Sequence, residues 1–262
     1  MAAPLSAAAF LAALRAEGVK VQEHGNWREF NRNHKGPWGP VNGVMIHHTV
    51  TKGTDSTVRI VHDGYDDLPG PLCHGMIAKT GVVHLIGYGR TNHAGLGDGD
   101  VLQAVIAERA LPPANEANTD GNRHFYGFEC ENLGDGKDAW PDEQLDAIVR
   151  AAAALCRAHA WGKDGDTSVI GHLEWQPGKI DPKGPGVTMP DVRARVAERL
   201  KHPAGWSPGG TTTYTVARGD TLWSIAASRL GDGARWREIA DLNRLKNADD
   251  IAVGQHLNLP KK

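Results

Sequence analysis

Val41-Asn42-Gly43-Val44-Met45-Ile46-His47-His48-Thr49-Val50 is the strongest strand signal in the chain, an apolar, β-branched run that ends on two histidines. Side chains alternate across a strand, so His47 and His48 point to opposite faces and only one can easily join a site. Spacing leaves open which. Downstream, residues 74–78 and 82–86 read as two short strands joined by a turn at Lys79-Thr80-Gly81, and residues 125–132 and 167–170 read as two more. Helical stretches lie among them, at 101–110, 142–160 and 189–200. The clearest is 142–160, begun by Pro141 and Asp142, with Leu145, Ile148, Val149 and Leu155 as its buried face. Residues 56–62 begin another helix, which the Asp-, Gly- and Pro-rich segment 63–71 interrupts. Residues 88–100 are a glycine-dense loop, and 111–123, with its Pro-Pro pair and asparagines, reads as a mobile surface loop. Strands interleaved with helices on one sheet predict an α/β domain.

A second stretch carries the chemistry: Gly171-His172-Leu173-Glu174-Trp175-Gln176-Pro177-Gly178-Lys179-Ile180-Asp181-Pro182. It sets an imidazole, an ammonium and a carboxylate within ten residues, where Pro177, Gly178 and Pro182 exclude a helix or a central strand. A strand end plus a distant irregular loop is how an open Zn²⁺ site is often built: two His, one carboxylate and a vacancy for water. Taken singly, His172 is an ordinary loop histidine and Asp181 a turn residue before proline. Taken with the histidine pair, the set points to a metal.

The 262 residues exceed what one typical domain needs. With 40% hydrophobic and 23% charged residues the composition is that of a soluble globular protein. A formal net charge of −2 argues against nucleic-acid binding as the main task. Residues 213–262 carry eight Lys/Arg against six Asp/Glu, leaving 21 against 25 elsewhere. Eight Trp exceed the four Phe and four Tyr, and Trp is favoured where sugars stack as well as in cores. Cys73, Cys130 and Cys156 are odd in number and widely spaced, so they form neither a disulfide framework nor a metal knuckle. No apolar run reaches the ~18 residues of a membrane span, so no membrane partner is expected. The Ala-rich N-terminus lacks a basic leader, and Leu5, Phe10, Leu11 and Leu14 fit one face of an amphipathic helix over 5–17 that Ser6 starts. This predicts synthesis in the cytoplasm without export by a signal peptide, and an accessory role for that helix.

Residues 203–212, with Pro203, Gly205, Pro208, Gly209, Gly210 and a threonine run, read as a flexible linker between a domain over 1–202 and a small one over 213–262. The tail reads strand, helix, helix, strand, over 214–216, 221–228, 236–243 and 256–259, with Asp220 or Thr221 as N-cap. From Tyr214-Thr215-Val216-Ala217-Arg218-Gly219-Asp220-Thr221-Leu222-Trp223 to Ile251-Ala252-Val253-Gly254-Gln255-His256-Leu257 it resembles the LysM module over nearly its whole length. That resemblance implies binding of N-acetylglucosamine-containing glycans in a groove between two loops. The residues concerned are Gly219, Asp220, Thr221 and Leu222 on one loop and Asp249 and Ile251 within 247–251 on the other.

With that partner in view, Ile46-His47-His48-Thr49, Asn92-His93-Ala94-Gly95, Gly127-Phe128-Glu129 and Gly171-His172 through Pro182 together resemble the zinc N-acetylmuramoyl-L-alanine amidases of the amidase-2/peptidoglycan-recognition-protein fold, over roughly 41–181. The resemblance implies a mixed central sheet flanked by helices, beside a small βααβ LysM domain. It implies one Zn²⁺ held by His47, His172 and Asp181, with Glu129 as general base and Lys179 stabilising the oxyanion. Asn92, His93 and His74 are candidate substrate contacts, His93 and His74 each having an ordinary structural reading as well. One departure is Leu72-Cys73-His74, where many members carry a tyrosine; Cys73 supplies no phenol donor. Glu129 and Glu131 share a strand face and also read as solvated charges on an edge.

The combination implies a monomeric peptidoglycan hydrolase. It cleaves the amide between N-acetylmuramic acid and L-alanine, takes a muropeptide in the catalytic domain and is anchored to wall glycan by its tail, in the manner of a phage endolysin released to the bacterial cell wall. A non-catalytic peptidoglycan-binding protein of the same fold is the alternative; the presence of Asp181 favours the enzyme. A glycosidase needs two facing carboxylates and would leave the His/His/Asp set unexplained.

Overall fold

The computed structural model describes residues 2–162, 168–206, 212–243, 245 and 247–260. The chain divides into two compact units, Met1–Gly205 and Trp206–Lys262. Most of the expected linker, 207–211, and the start of the strand expected at 167 lie outside the described residues.

The larger unit runs α1 (Ala7–Ala16), β1 (Lys20–Glu23), β2 (Gly43–His48), α2 (Thr54–Asp63), β3 (Gly75–Ile77), β4 (Val82–Leu85), β5 (Leu96–Gly97), α3 (Gly99–Ile106), β6 (Thr119–Asp120), α4 (Gly121–His124), β7 (Phe125–Cys130), α5 (Asp142–His159), β8 (Val169–Gly171), α6 (His172–Trp175) and α7 (Met189–Leu200). Six strands form one sheet in the order β1-β4-β3-β7-β2-β8. The β3–β4 pair is antiparallel and every other neighbouring pair parallel, so the sheet is mixed.

All six residues of β2 are buried, as a central strand covered on both faces requires. Val44 and Ile46 enter the core beneath α1, α5 and α7, while Met45 joins the cluster of Phe125, Ile170 and Trp175 on the opposite face, beside α3. Four consecutive alanines, Ala151–Ala154, give α5 a small-residue face, and all four are buried in the first of these cores. Asp142 and Glu143 in its first turn and Arg157 and His159 in its last complement the helix dipole.

The N-terminal helix is part of this core rather than an accessory. Phe10 is fully buried and stacks on Tyr126 and Phe128 at 5.6 and 6.3 Å. The Leu5 N–H donates to Tyr126 Oη at 2.9 Å, and Tyr88 Oη donates to the Leu5 carbonyl at 2.5 Å. At the helix end, buried Glu17 accepts from Arg199 Nε and Arg157 Nε at 3.0 and 3.1 Å, which ties α1 to α7 and α5. Strand β1 carries no strand signal in the sequence, since only Val21 of its four residues is apolar.

The expected surface loop over 111–123 contains two built elements. Strand β6 pairs with β5, Leu96 opposite Asp120, and α4 follows. Buried Asn122 accepts from the N–H groups of both His93 and Ala94 at 2.8 Å, so this segment holds the 92–95 loop in place.

In the smaller unit β9 (Thr212–Thr215), α8 (Leu222–Leu230), α9 (Trp236–Leu242) and β10 (His256–Leu259) enclose a core of Val216, Leu222, Ile225, Ala226, Leu230, Ile239, Leu257 and Leu259. The two strands pair antiparallel, Leu257 opposite Tyr214. Thr221 is the N-cap: its Oγ1 accepts from Ser224 N–H, and Ser224 Oγ accepts from Thr221 N–H.

Candidate metal centre

Strand β2 delivers His47 at its C-terminal end, directly opposite Glu129 of β7. Strand β8 delivers His172 as the first residue of α6. That single helical turn was unexpected; it fits because Pro177 lies beyond its end. The chain then turns back through Gly178, whose φ of +82° suits glycine, and the Leu173 N–H donates to the Asp181 carbonyl at 2.8 Å. Asp181 is thereby folded against the turn that carries His172.

Three atoms converge. His47 Nδ1 lies 3.0 Å from His172 Nδ1 and 3.1 Å from Asp181 Oδ2, and the third side of the triangle is 3.2 Å. Ligands bound tetrahedrally at the ~2.05 Å usual for zinc sit about 3.3 Å apart, so the triangle has the size of a zinc ligand set. All three residues are buried. Burial pushes the His47 imidazolium down to about 4 despite the Asp181 carboxylate beside it. Burial opposes ionisation of Asp181, yet the flanking imidazoles hold its carboxyl well below the usual range.

The cluster fits a cation on a further observation. Glu129 Oε2 is buried without a hydrogen-bond partner. Burial, and then the charge of Asp181, push the Glu129 carboxyl up to about 8 against the pull of Lys179. A buried acid of this kind beside a cluster of imidazoles and carboxylate marks a functional site.

A cavity of about 450 Å³ opens over the cluster, lined among others by Glu129, Lys179, His172, Asp181, Asn92 and Tyr65. Residues 37–184 match the model of the N-acetylmuramoyl-L-alanine amidase family and residues 214–260 match the LysM domain. The chain belongs to this amidase family. A stretch of 51 residues is 43% identical to an uncharacterized protein of Deinococcus radiodurans, 20% of either chain. Another of 53 residues is 36% identical to the uncharacterized protein YqbP of Bacillus subtilis, 20% of this chain and 23% of that one. The chain thus spans about a fifth of the length of these curated relatives. Among solved structures, the endolysin amidase LysCS of Clostridium intestinale is 16% identical with a TM-score of 0.43, covering 68% of this chain and 95% of that one. The Escherichia coli amidase AmiD is 16% identical with a TM-score of 0.44, covering 77% and 73%. Drosophila peptidoglycan recognition protein SA is 19% identical with a TM-score of 0.34, covering 65% and 84%.

Within this amidase-family unit the other candidates separate. His48 lies on the opposite strand face, where its Nδ1 accepts from the Lys183 N–H at 3.2 Å. His74, a candidate substrate contact, is fully buried: Nε2 donates to the Gly89 carbonyl and Nδ1 accepts from the Gly127 N–H, both at 2.9 Å. It is a structural histidine. His93 edges the cavity but both its ring nitrogens are engaged inside the fold, so it offers substrate no polar atom. Burial, with His47 and His74 nearby, pushes its imidazolium well below the ordinary value and keeps it neutral. Asn92 does line the cavity, its amide donating to the Pro69 carbonyl at 3.2 Å.

Glu131 is not a solvated edge charge. Strand β7 is central, and buried Glu131 accepts from the Gly53 N–H and Thr54 Oγ1, both at 2.8 Å, at the start of α2. Cys73 is buried, its thiol pushed well up by burial and by Glu129. Tyr65 is half-exposed on the cavity rim, where the Gly64–Pro69 pairing holds its loop. Its position was hidden in a segment that reads only as a helix breaker.

In the LysM unit, the side chain of Leu222 belongs to the core at 3% exposure. Asp220 braces its own loop, accepting from Tyr214 Oη at 2.6 Å and Ala217 N–H at 2.7 Å. Gly219, Thr221 and Asp249 are exposed and Ile251 half-buried. Trp223 is exposed beside them in sequence, and sequence reading overlooked it because its helical neighbours are core residues.

Proposed function

We propose that this chain is a zinc-dependent N-acetylmuramoyl-L-alanine amidase that hydrolyses the bond between the muramic acid lactyl group and L-alanine of peptidoglycan. One observation carries the reading: His47, His172 and Asp181 close to 3.0–3.2 Å of one another beside the unpartnered Glu129 Oε2, in a cavity that Lys179 also lines. His47, His172 and Asp181 would hold one Zn²⁺, which when bound polarises an amide carbonyl and lowers the pKa of water towards ~7.

The chain's own groups do the rest. Glu129 takes a proton from the attacking water and delivers it to the alanine nitrogen as the C–N bond breaks, leaving a carboxylate and an amine. Its unpartnered oxygen is free to receive that proton. The Lys179 ammonium meets the negative charge that develops on the carbonyl oxygen. Asn92 and the half-exposed Tyr65 line the cavity where the muropeptide lies.

The LysM unit binds the N-acetylglucosamine-containing glycan through Gly219, Thr221 and the 247–251 loop. It raises the local concentration of the catalytic unit at an insoluble polymer without altering the chemistry. A catalytic head with a wall-binding tail suits a lytic enzyme of the endolysin kind, acting as a monomer on the bacterial wall. Among the described residues no helix is long and apolar enough to cross a membrane.

The test is metal analysis with activity. The purified protein should carry one zinc per chain, lose wall lysis with a chelator and regain it with Zn²⁺. Full activity of the metal-free protein refutes the reading.

A further inference from the structure

His93 sits behind the metal cluster, buried, with no ion pair among the described residues and no role in the chemistry above. Its Nε2 lies 3.1 Å from the Phe125 backbone carbonyl and its Nδ1 lies 3.0 Å from His47 Nε2. A carbonyl oxygen only accepts, so His93 Nε2 carries the ring proton. A neutral imidazole has one N–H, so His93 Nδ1 is an acceptor. The proton in the 3.0 Å contact therefore belongs to His47 Nε2. That leaves His47 Nδ1, the atom facing His172 and Asp181, as a bare lone pair.

We propose that His93 is a positioning residue that fixes His47 in the tautomer whose Nδ1 lone pair faces the cation site. The inference deepens the metal reading above and rests on it for its consequence, though not for its geometry. A backbone carbonyl cannot rotate or exchange donor for acceptor, so the sense of the whole chain, Phe125 O to His93 to His47, is set by the main chain of β7.

The surroundings are shaped for this ring. A Cβ at Gly127 would lie 2.4 Å from His93 Nδ1 and 2.5 Å from Cγ, so the glycine makes room for the imidazole against the strand. Asn122 Oδ1 accepts from both the His93 and Ala94 N–H groups, and Trp175 Nε1 donates to the Ala94 carbonyl at 3.0 Å. The ring is seated from both ends and stands nearly perpendicular to His47, at 85°. His172 is held in the same sense by a different partner: its Nε2 faces Gln176 Oε1 at 3.2 Å. Metal-binding histidines are generally oriented by such partners, whose loss typically weakens metal affinity about 10–100-fold.

Two measurements test it. In metal-free wild-type protein, ¹⁵N chemical shifts of the imidazoles should show His47 protonated at Nε2 and bare at Nδ1; protonation at Nδ1 overturns the proposal, whether or not the protein ever binds zinc. For consequence, zinc affinity is measured by competition with a chromophoric chelator. His93→Phe keeps the ring shape without nitrogens and should weaken binding roughly 10–100-fold. His93→Gln, which can both accept from His47 and donate to the Phe125 carbonyl, should restore most of it. Equal affinity of wild type and a folded His93→Phe overturns the proposal while leaving the zinc site standing. Should His93→Phe not fold, a His93→Gln variant with wild-type affinity and a His47 Nε2–H signal supports it, and one with the Nδ1–H signal and unchanged affinity overturns it. Failure of wild type itself to bind zinc refutes the metal reading instead.

Discussion

Glu129→Gln removes one ionisable oxygen from the site and keeps its shape. The structure makes two separable claims about it. The first is kinetic: a group that moves a proton in the transition state contributes roughly 10²–10⁴-fold, or about 2.7–5.4 kcal/mol of barrier at 1.36 kcal/mol per decade. Turnover on a soluble muropeptide should fall by that factor, with zinc content unchanged because Glu129 is not among the three converging ligands. The second is thermodynamic. In the metal-free protein the folded carboxyl titrates near 8, above the 4.5 of an exposed one, because it is buried and faces Asp181. Between those values the folded state holds a proton that the unfolded chain releases, so the contribution of this carboxyl to stability falls as pH rises from about 4.5 to 8. One proton sets a slope of about 1.4 kcal/mol per pH unit. The depressed imidazoles, His47, His74 and His93 among them, raise the stability of both proteins over part of this range, so the readout is a difference: in urea melts of the metal-free proteins, the stability of wild type relative to Glu129→Gln should fall between pH 5 and 7.5. Glu131→Gln is the control. Glu131 caps the start of α2, so its substitution should cost stability, about 1 kcal/mol, and little rate. A near-wild-type rate for Glu129→Gln, or equal pH slopes for the two proteins, refutes the reasoning.

Other substitutions divide the site from the scaffold. Asp181→Ala should abolish zinc binding while His48→Ala keeps it, as metal analysis of the two will show, because His48 lies on the other face of β2. A chain ending at Gly205 should retain its rate on soluble muropeptides and lose most of its sedimentation with intact walls, if the LysM unit is the anchor. Phe10→Ala should destabilise the larger unit by about 3–5 kcal/mol in a chemical melt, the usual cost of deleting a buried aromatic ring.

Much of the larger unit was legible because its central elements carry strong periodic signals. The apolar run into His47 and the amphipathic face of α5 needed no tertiary information. Strand β1 and the β5–β6 pair were invisible for the opposite reason: their residues are largely polar or too few to show a period, and pairing with neighbours makes them strands. The ligand triangle was readable as residue types, while its closure depends on the Leu173–Asp181 backbone bond and on α6, which the prolines obscured. His74 and His93 read as site residues since a sequence shows an imidazole and not its partners. Only the fold reveals that the Gly89, Gly127 and Phe125 backbone groups occupy their nitrogens. Tyr65 was lost in a breaker segment whose short loop is held by Gly64 and Pro69.

The chemical identity of the cut bond is decided by end groups. Purified peptidoglycan is digested to completion, and new free amino termini and new reducing sugar ends are counted in the same sample, with and without chelator. An amidase acting through His47, His172 and Asp181 yields N-terminal alanine in step with lysis, no new reducing ends, and neither product once zinc is removed. New reducing ends, or alanine release that persists without metal, would contradict it.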